Sequence, residues 1–506
     1  MIAPLGRHVR QRMAQLHRWT GVLLIWLLFV IFLTGTLSFF RQELTQWMQP
    51  ERPQGRELAQ PEAALEHALP YLWQHASAAS HWTIVLPGER SGLLDVSWRG
   101  AEGRGQAYLH PDTGEGVQVR DTRGGEFFYR FHFQLHYLPV LTARYLVGIA
   151  AMMMLLALIS GVLTHKKILR DFFTFRWGKG QRSWLDAHNG FSVLALPFHL
   201  MITYTGLVTL MTLYVPWGMD KAFPEQEQRQ QLIGEIFAFM PSTPSSGQVA
   251  ALTSVPALVE QARASWQGAH VGRVQIAHPG DLSAKVLVEA QTGQADRLGI
   301  SGHPPFMLFD GVTGELLKAK ASRPAYDAYG TLLGLHLGRF ADWPGRWLYA
   351  LLGAAGCGML ATGMLLWTSK RRRKPGHSRV GLWLVERLNV ATLAGFPVAV
   401  VALFWLNRLL PVEMTARAQW EIHGLFLVWL GMGIHALLRP LQSGWREQLG
   451  LAGLLLLGLP VLNLLTTDRG FPASLAAGDG VFIGFDLLSV LLALLMFRCA
   501  RRRRGV

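Results

Sequence analysis

From Leu141 to Thr164 the chain runs for 24 residues with Arg144 as its single charge. A stretch of that length crosses about 30 Å of hydrocarbon as a helix and is too apolar to stand in water. Seven further runs of this kind can be drawn: Leu16–Phe40, Phe191–Tyr214, Arg346–Thr368, Leu388–Trp405, Gly424–Leu438, Leu449–Leu465 and Val481–Phe497. Only 16% of the 506 residues are charged, against about a quarter in an average soluble domain. That excludes a soluble enzyme, a disordered chain and a basic DNA-binding protein. The chain reads as a polytopic α-helical membrane protein with about eight transmembrane helices. Its first run has no small-residue cleavage site and reads as an anchor.

Basic residues orient the spans. Arg7, Arg10, Arg12 and Arg18 lie at the start; Lys166, Lys167, Arg170, Arg176, Lys179 and Arg182 follow span 2. Lys370, Arg371, Arg372, Arg373 and Lys374 follow span 4, and Arg501–Arg504 close the chain. With eight spans all four clusters fall on one side, which the positive-inside rule makes cytoplasmic, termini included. The net charge of +15 then needs no nucleic acid; it is a cytoplasmic rim against anionic lipid.

Two long segments, about 42–140 and 215–344, accordingly face the outside. Each opens with an amphipathic stretch (Pro61–His75; Val255–Gln267). Alternating apolar residues then predict strands at Trp82–Leu86, Leu93–Trp98, Val271–Ile276 and Ala284–Glu289, so each segment is expected to be a small α+β domain. Neither contains cysteine; Cys357 and Cys499 lie in or at the end of apolar runs, and no Cys-x-x-Cys-His site for covalent haem exists.

The two halves repeat. His17 and His188 each stand 17 residues before a Thr-Gly pair, Thr34-Gly35 and Thr205-Gly206. The external segments end in matching elements, Ala107–Glu115 and Met307–Glu315, both closing on Thr-Gly-Glu. A Leu-His pair follows each, Leu135-His136 and Leu335-His336, and the return spans close on Ser160-Gly161 and Thr362-Gly363. The expected plan is one unit of helix, external domain and helix repeated over 1–180 and 181–370, followed by a four-helix membrane region, 371–506.

The His-x-x-x-Gly opening, the Thr-Gly endings, the strand turn and the Leu-His pair resemble those of PepSY-associated transmembrane proteins. The stretches Asp186-Ala187-His188-Asn189 and Pro197-Phe198-His199-Leu200 carry an especially close likeness, as does Thr164-His165-Lys166-Lys167. The likeness covers about 370 residues and implies two PepSY-like periplasmic domains. Some members of that family look like di-haem inner-membrane reductases of ferric siderophores, which implies that role here.

The histidines lie where such a role needs them. Membrane haem b is held by imidazoles on rigid helices facing a bundle interior. His17, His165 and His188 fall at the cytoplasmic ends of spans. His199 follows His188 by 11 residues, which places it on the same helix face about 16 Å further along. His132, His136 and His336 lie on the outer side. The expected ligand set is His17, His136, His165, His188, His199 and His336, for two haems b. Inside, His17 or His165 would pair with His188 or His199; outside, His136 with His336. His423 and His435 are further candidates as ligands or quinone-site groups.

No dinucleotide fingerprint or phosphate-binding loop is present. Electrons would therefore come from a separate cytoplasmic reductase or a quinol and leave to a ferric siderophore or another periplasmic acceptor. The alternatives are a membrane scaffold or sensor whose domains bind a partner, and a transporter accessory protein. Glu386, Glu421 and Asp486 lie in or beside spans 5, 6 and 8, as helix caps or as a quinol proton path.

Overall fold

The structure is a computed structural model that describes residues 7–54, 60–88, 90–165, 176, 180–236, 238–241, 243–320, 324–373 and 378–502. The basic residues Lys166, Lys167, Arg170, Lys179, Lys374, Arg503 and Arg504 lie outside the described residues. The chain divides into two compact units. The first comprises 1–50, 120–207 and 347–506; the second comprises 51–119 and 208–346.

The first unit is helical. Its elements in chain order are α1 (Arg7–Leu23), α2 (Ile25–Ser38), α3 (Arg41–Met48), α4 (Gly124–Gln134), α5 (Val140–Thr164), α6 (Gln181–Leu194) and α7 (Leu196–Thr209). They continue with α8 (Trp343–Arg372), α9 (Arg379–Leu409), α10 (Arg417–Leu438), α11 (Leu441–Thr466) and α12 (Gly480–Arg502). Among the described residues six helices are long and apolar enough to cross a membrane, or eight if each of two bent pairs counts as one span. The chain is a multi-pass membrane protein.

The bent pairs are α1 with α2, at 68°, and α6 with α7, at 66°. Pro197 accounts for the second break, because its ring lacks an N–H and crowds the carbonyl four residues back. The first break, at Leu24, has no proline. α9 carries one wide π turn at Val390–Ala394, of the kind often found at functional positions. The Ala391 carbonyl in that turn accepts a hydrogen bond from Trp429 Nε1 at 3.0 Å.

The bundle has two main apolar seams. Ile25, Leu28 and Phe29 of α2 meet Met154 and Leu158 of α5 and Met359 and Met364 of α8. Trp47 and Phe128 pack with Phe396, Phe404 and Phe482 of the C-terminal helices.

The second unit is a two-layer α+β structure. Its strands are β1 (His81–Val85), β2 (Leu94–Gly100), β3 (Gly103–Leu109), β4 (Val271–Ala277), β5 (Lys285–Ala290), β6 (Phe306–Asp310) and β7 (Leu316–Ala319). They form one antiparallel sheet in the order β3-β2-β1-β4-β5-β6-β7. The join is β1 against β4, with Ile84 opposite Val274. The two segments separated in sequence therefore share a single sheet. Helices Leu65–Ala76 and Val255–Ser265 cover one face of it. Leu65, Leu72, Leu258 and Ala262 there close over Trp82, Ile84, Val96, Val274, Ile276, Val286 and Val288, alternate residues of their strands.

The Thr-Gly-Glu elements are turns of one design. His110 N–H donates to Glu115 O and Gly114 N–H to His110 O, at 2.8 and 2.9 Å; Asp310 and Gly314 repeat this at 2.8 and 3.0 Å. The glycines are required by left-handed backbone, with φ of +71° and +74°. Asp310 also accepts from the N–H groups of Val312 and Thr313 and from Lys285 Nζ at 2.7 Å. Lys285 and those amides hold its carboxyl at about 2.

Candidate cofactor site

His17 on α1 and His188 on α6 come together, with ring centroids 6.2 Å apart and planes tilted by 59°. Two imidazoles sharing one metal need about that spacing, because each metal–nitrogen bond is about 2 Å and each nitrogen stands about 1 Å from its ring centre.

Each ring is held in the same way. His17 Nδ1 meets the Ala157 carbonyl at 2.8 Å, and His188 Nδ1 meets the Met359 carbonyl at 2.9 Å. A carbonyl only accepts, so Nδ1 carries the proton and Nε2 is the nitrogen left for a metal. Four residues beyond each carbonyl is a glycine. A Cβ at Gly161 would lie 3.1 Å from the His17 ring, and one at Gly363 would lie 3.0 Å from that of His188. The residue before each glycine, Ser160 or Thr362, turns its hydroxyl back onto the carbonyls of its own helix. The Ser/Thr-Gly pairs thus make a shallow groove with one carbonyl at its edge, shaped for an imidazole.

A third copy of this cradle holds His132, on α4. Its Nδ1 meets the Ile31 carbonyl of α2 at 2.8 Å. A Cβ at Gly35, four residues on, would lie 2.7 Å from its Cε1 and Nδ1. Thr34 again bonds back to Val30 and Ile31. The Leu-His repeat draws attention to His136 and leaves His132 without a counterpart, since Leu332 stands at the matching place. The signal for His132 was the Thr34-Gly35 pair, read as a socket rather than as a helix ending.

His199 occupies a different environment. It is 0% exposed, set against Phe32 and Phe198 at 6.0 and 6.1 Å between centroids. The Leu352 carbonyl acts on its ring, but neither nitrogen completes a hydrogen bond among the described residues. A buried imidazole with two unmade bonds costs about 1–3 kcal/mol per group. A Cβ at Gly356 would lie 3.2 Å from its Nε2. His132 and His199 therefore both approach one turn of α2, through Ile31 and Phe32.

The remaining candidates fall elsewhere. His165 closes α5 and interacts electrostatically with His188. His136 stacks on Phe426 at 5.6 Å and touches Tyr137, whose hydroxyl bonds to His423 Nδ1. Leu135 and Tyr137 on either side have φ of +49° and +65°, a left-handed backbone that is strained for such residues. His336 lies on helix Pro324–Leu337, in the second unit. His435 bonds to Glu447 and Gln448.

Glu386 pairs with Arg372, and Glu421 with Arg417; both lie inside helices whose N-caps are Ser378 and Ala416, so neither is a cap. Arg417 and Glu421 are 0% and 1% exposed. Glu421 also accepts from Asn407 and Thr122, and Arg417 donates to the carbonyls of Asp121 and Asn407.

Residues 14–370 match the model of a family described as the PepSY-associated TM region. The chain belongs to that family. It is similar to uncharacterized protein PA4219 of Pseudomonas aeruginosa, with 27% identity over 372 residues that cover 71% of this chain and 90% of that one. The family match takes in α2 to α7, most of α1 and nearly all of α8, and so every cradle histidine, while α9 to α12 lie beyond it.

Proposed function

We propose that this member of the PepSY-associated TM region family is a haem b electron-transfer protein of the bacterial inner membrane, with both termini in the cytoplasm. It takes electrons from a cytoplasmic reductase or a quinol and delivers them to a periplasmic acceptor, a ferric siderophore in iron uptake. The observation that carries this reading is the His17–His188 pair, anchored through Nδ1 and spaced as a bis-imidazole centre requires.

Haem bound there supplies one-electron chemistry. His17 and His188 would hold the first group, with His165 beside them. His132 and His199 would hold a second at a different depth, as an alternative to the His136 and His336 pair suggested by the Leu-His repeat. His136 and His336 remain candidates on that repeat. The carbonyl bond at Nδ1 fixes each ring's orientation and raises the basicity of Nε2. The matching cradles and turns in the two halves support a duplicated unit, and the shared sheet supports two PepSY-like lobes joined edge to edge. Reduction would release iron because hard siderophore oxygens hold ferrous ion far less firmly than ferric.

The test is delivery to the acceptor. Purified protein in lipid vesicles containing a short-chain quinol is expected to reduce an external ferric hydroxamate, read as ferrous iron trapped by ferrozine. Protein-free vesicles and vesicles holding His188→Ala set the background. A rate no higher than that background would contradict the reading.

A further inference from the structure

α12 begins at Gly480, and its first turn is already capped. Asp479 Oδ1 accepts from the N–H groups of Val481 and Phe482 at 3.2 and 3.4 Å, and its Oδ2 takes Arg469 at 3.0 Å. Asp486 lies nearly two turns further in and is not a cap. It is 2% exposed, and neither carboxylate oxygen has a hydrogen-bond partner among the described residues.

The groups around it are mostly neutral or committed. Arg408 of α9 is its charged neighbour. That guanidinium donates to Asn407 Oδ1 at 2.8 Å, to the Trp47 carbonyl at 2.6 Å and to Asn463 Oδ1 at 3.1 Å, and lies 3.9 Å over the Trp47 ring. α11 presents Asn463 at this end; its charged residues Arg446 and Glu447 are at the other. α3 presents Trp47, stacked on Phe485 at 4.1 Å; its charged residues, Arg41 and Glu43, are in its first turn, and Arg41 pairs with Glu126. Helix Phe471–Ala477 carries no charge. The Ser489 hydroxyl is turned to the backbone carbonyl of Asp486.

An ionised carboxylate buried without a donor is far costlier than the neutral acid. Contrast Glu421, which is equally buried but meets Arg417, Asn407 and Thr122. We propose that Asp486 is a proton-binding site, a carboxylic acid held neutral inside the C-terminal bundle. Acids of this kind within spans mark proton relays. Arg408 beside it keeps the deprotonated form within reach, so the site gains or loses one proton while the surrounding bonds of Arg408 stay in place.

Infrared absorption of the full-length protein in lipid tests this directly. The wild type is expected to show a carboxylic-acid carbonyl band that shifts in D2O, is lost in Asp486→Asn and is restored in Asp486→Glu. Superimposable wild-type and Asp486→Asn spectra in that region overturn the proposal. A second measurement needs no variant. Dicyclohexylcarbodiimide adds the O–H of a protonated carboxyl across its C=N bond, with nothing released. Peptide mass mapping of the labelled wild type is expected to place the adduct on Asp486 and not on Glu421. Label confined to other carboxylates overturns the proposal.

Discussion

Replacing His188 with alanine is expected to remove one b-type haem signal and leave the other in place. The His188 ring sits opposite His17, and its Nδ1 bond to the Met359 carbonyl leaves Nε2 as the nitrogen for a metal. Alanine supplies no ligand, so His17 alone would have to hold the iron. Histidine 132 provides the reciprocal experiment: His132→Ala is expected to spare the His17–His188 centre and remove the second signal. Gly35→Val should reproduce His132→Ala without touching a ligand, because even a Cβ there falls 2.7 Å from the imidazole and the ring must leave its carbonyl. The measurement is the dithionite-reduced spectrum of each variant with a haem-to-protein ratio. Loss of both signals in each variant, with the protein folded, would mean one shared centre. Survival of both in His188→Ala would remove the pairing altogether.

The second large effect concerns stability. Glu421→Ala would strand the Arg417 guanidinium, which is 0% exposed, and leave Asn407 and Thr122 without their acceptor. Breaking one side of a buried pair costs about 3–5 kcal/mol. Thermal unfolding in detergent, followed by Trp fluorescence, should therefore show Glu421→Ala well below the wild type. The double replacement Arg417→Met with Glu421→Leu removes both charges and is expected to recover much of the loss, since well-packed apolar pairs often equal buried ion pairs in stability. A single variant as stable as the wild type would show that the pair contributes nothing to the bundle.

Much of this architecture was legible because its physics is local. Apolar runs located the spans, and period-two alternation located β1, β2, β4 and β5 within about two residues. The Thr-Gly-Glu element was legible as a turn because only glycine accepts the φ required at Gly114 and Gly314. What was hidden depended on contacts between distant segments. The edge pairing of β1 with β4 joins strands nearly 190 residues apart, and no hydrophobic pattern encodes which edges meet. The bend at Leu24 has no proline to announce it. His132 drew less notice than His136 because a repeat identifies like positions and does not show what packs against a ring. The Ser/Thr-Gly pairs at 34–35, 160–161 and 362–363 did carry that information, as sockets in the neighbouring helix.

Haem content tests the central claim most directly. Purified full-length protein, measured as a dithionite-minus-oxidised spectrum with a pyridine haemochrome assay, is expected to give reducible b-type bands and about two haems per chain. A folded, monodisperse preparation that remains colourless after expression with ample haem would contradict it.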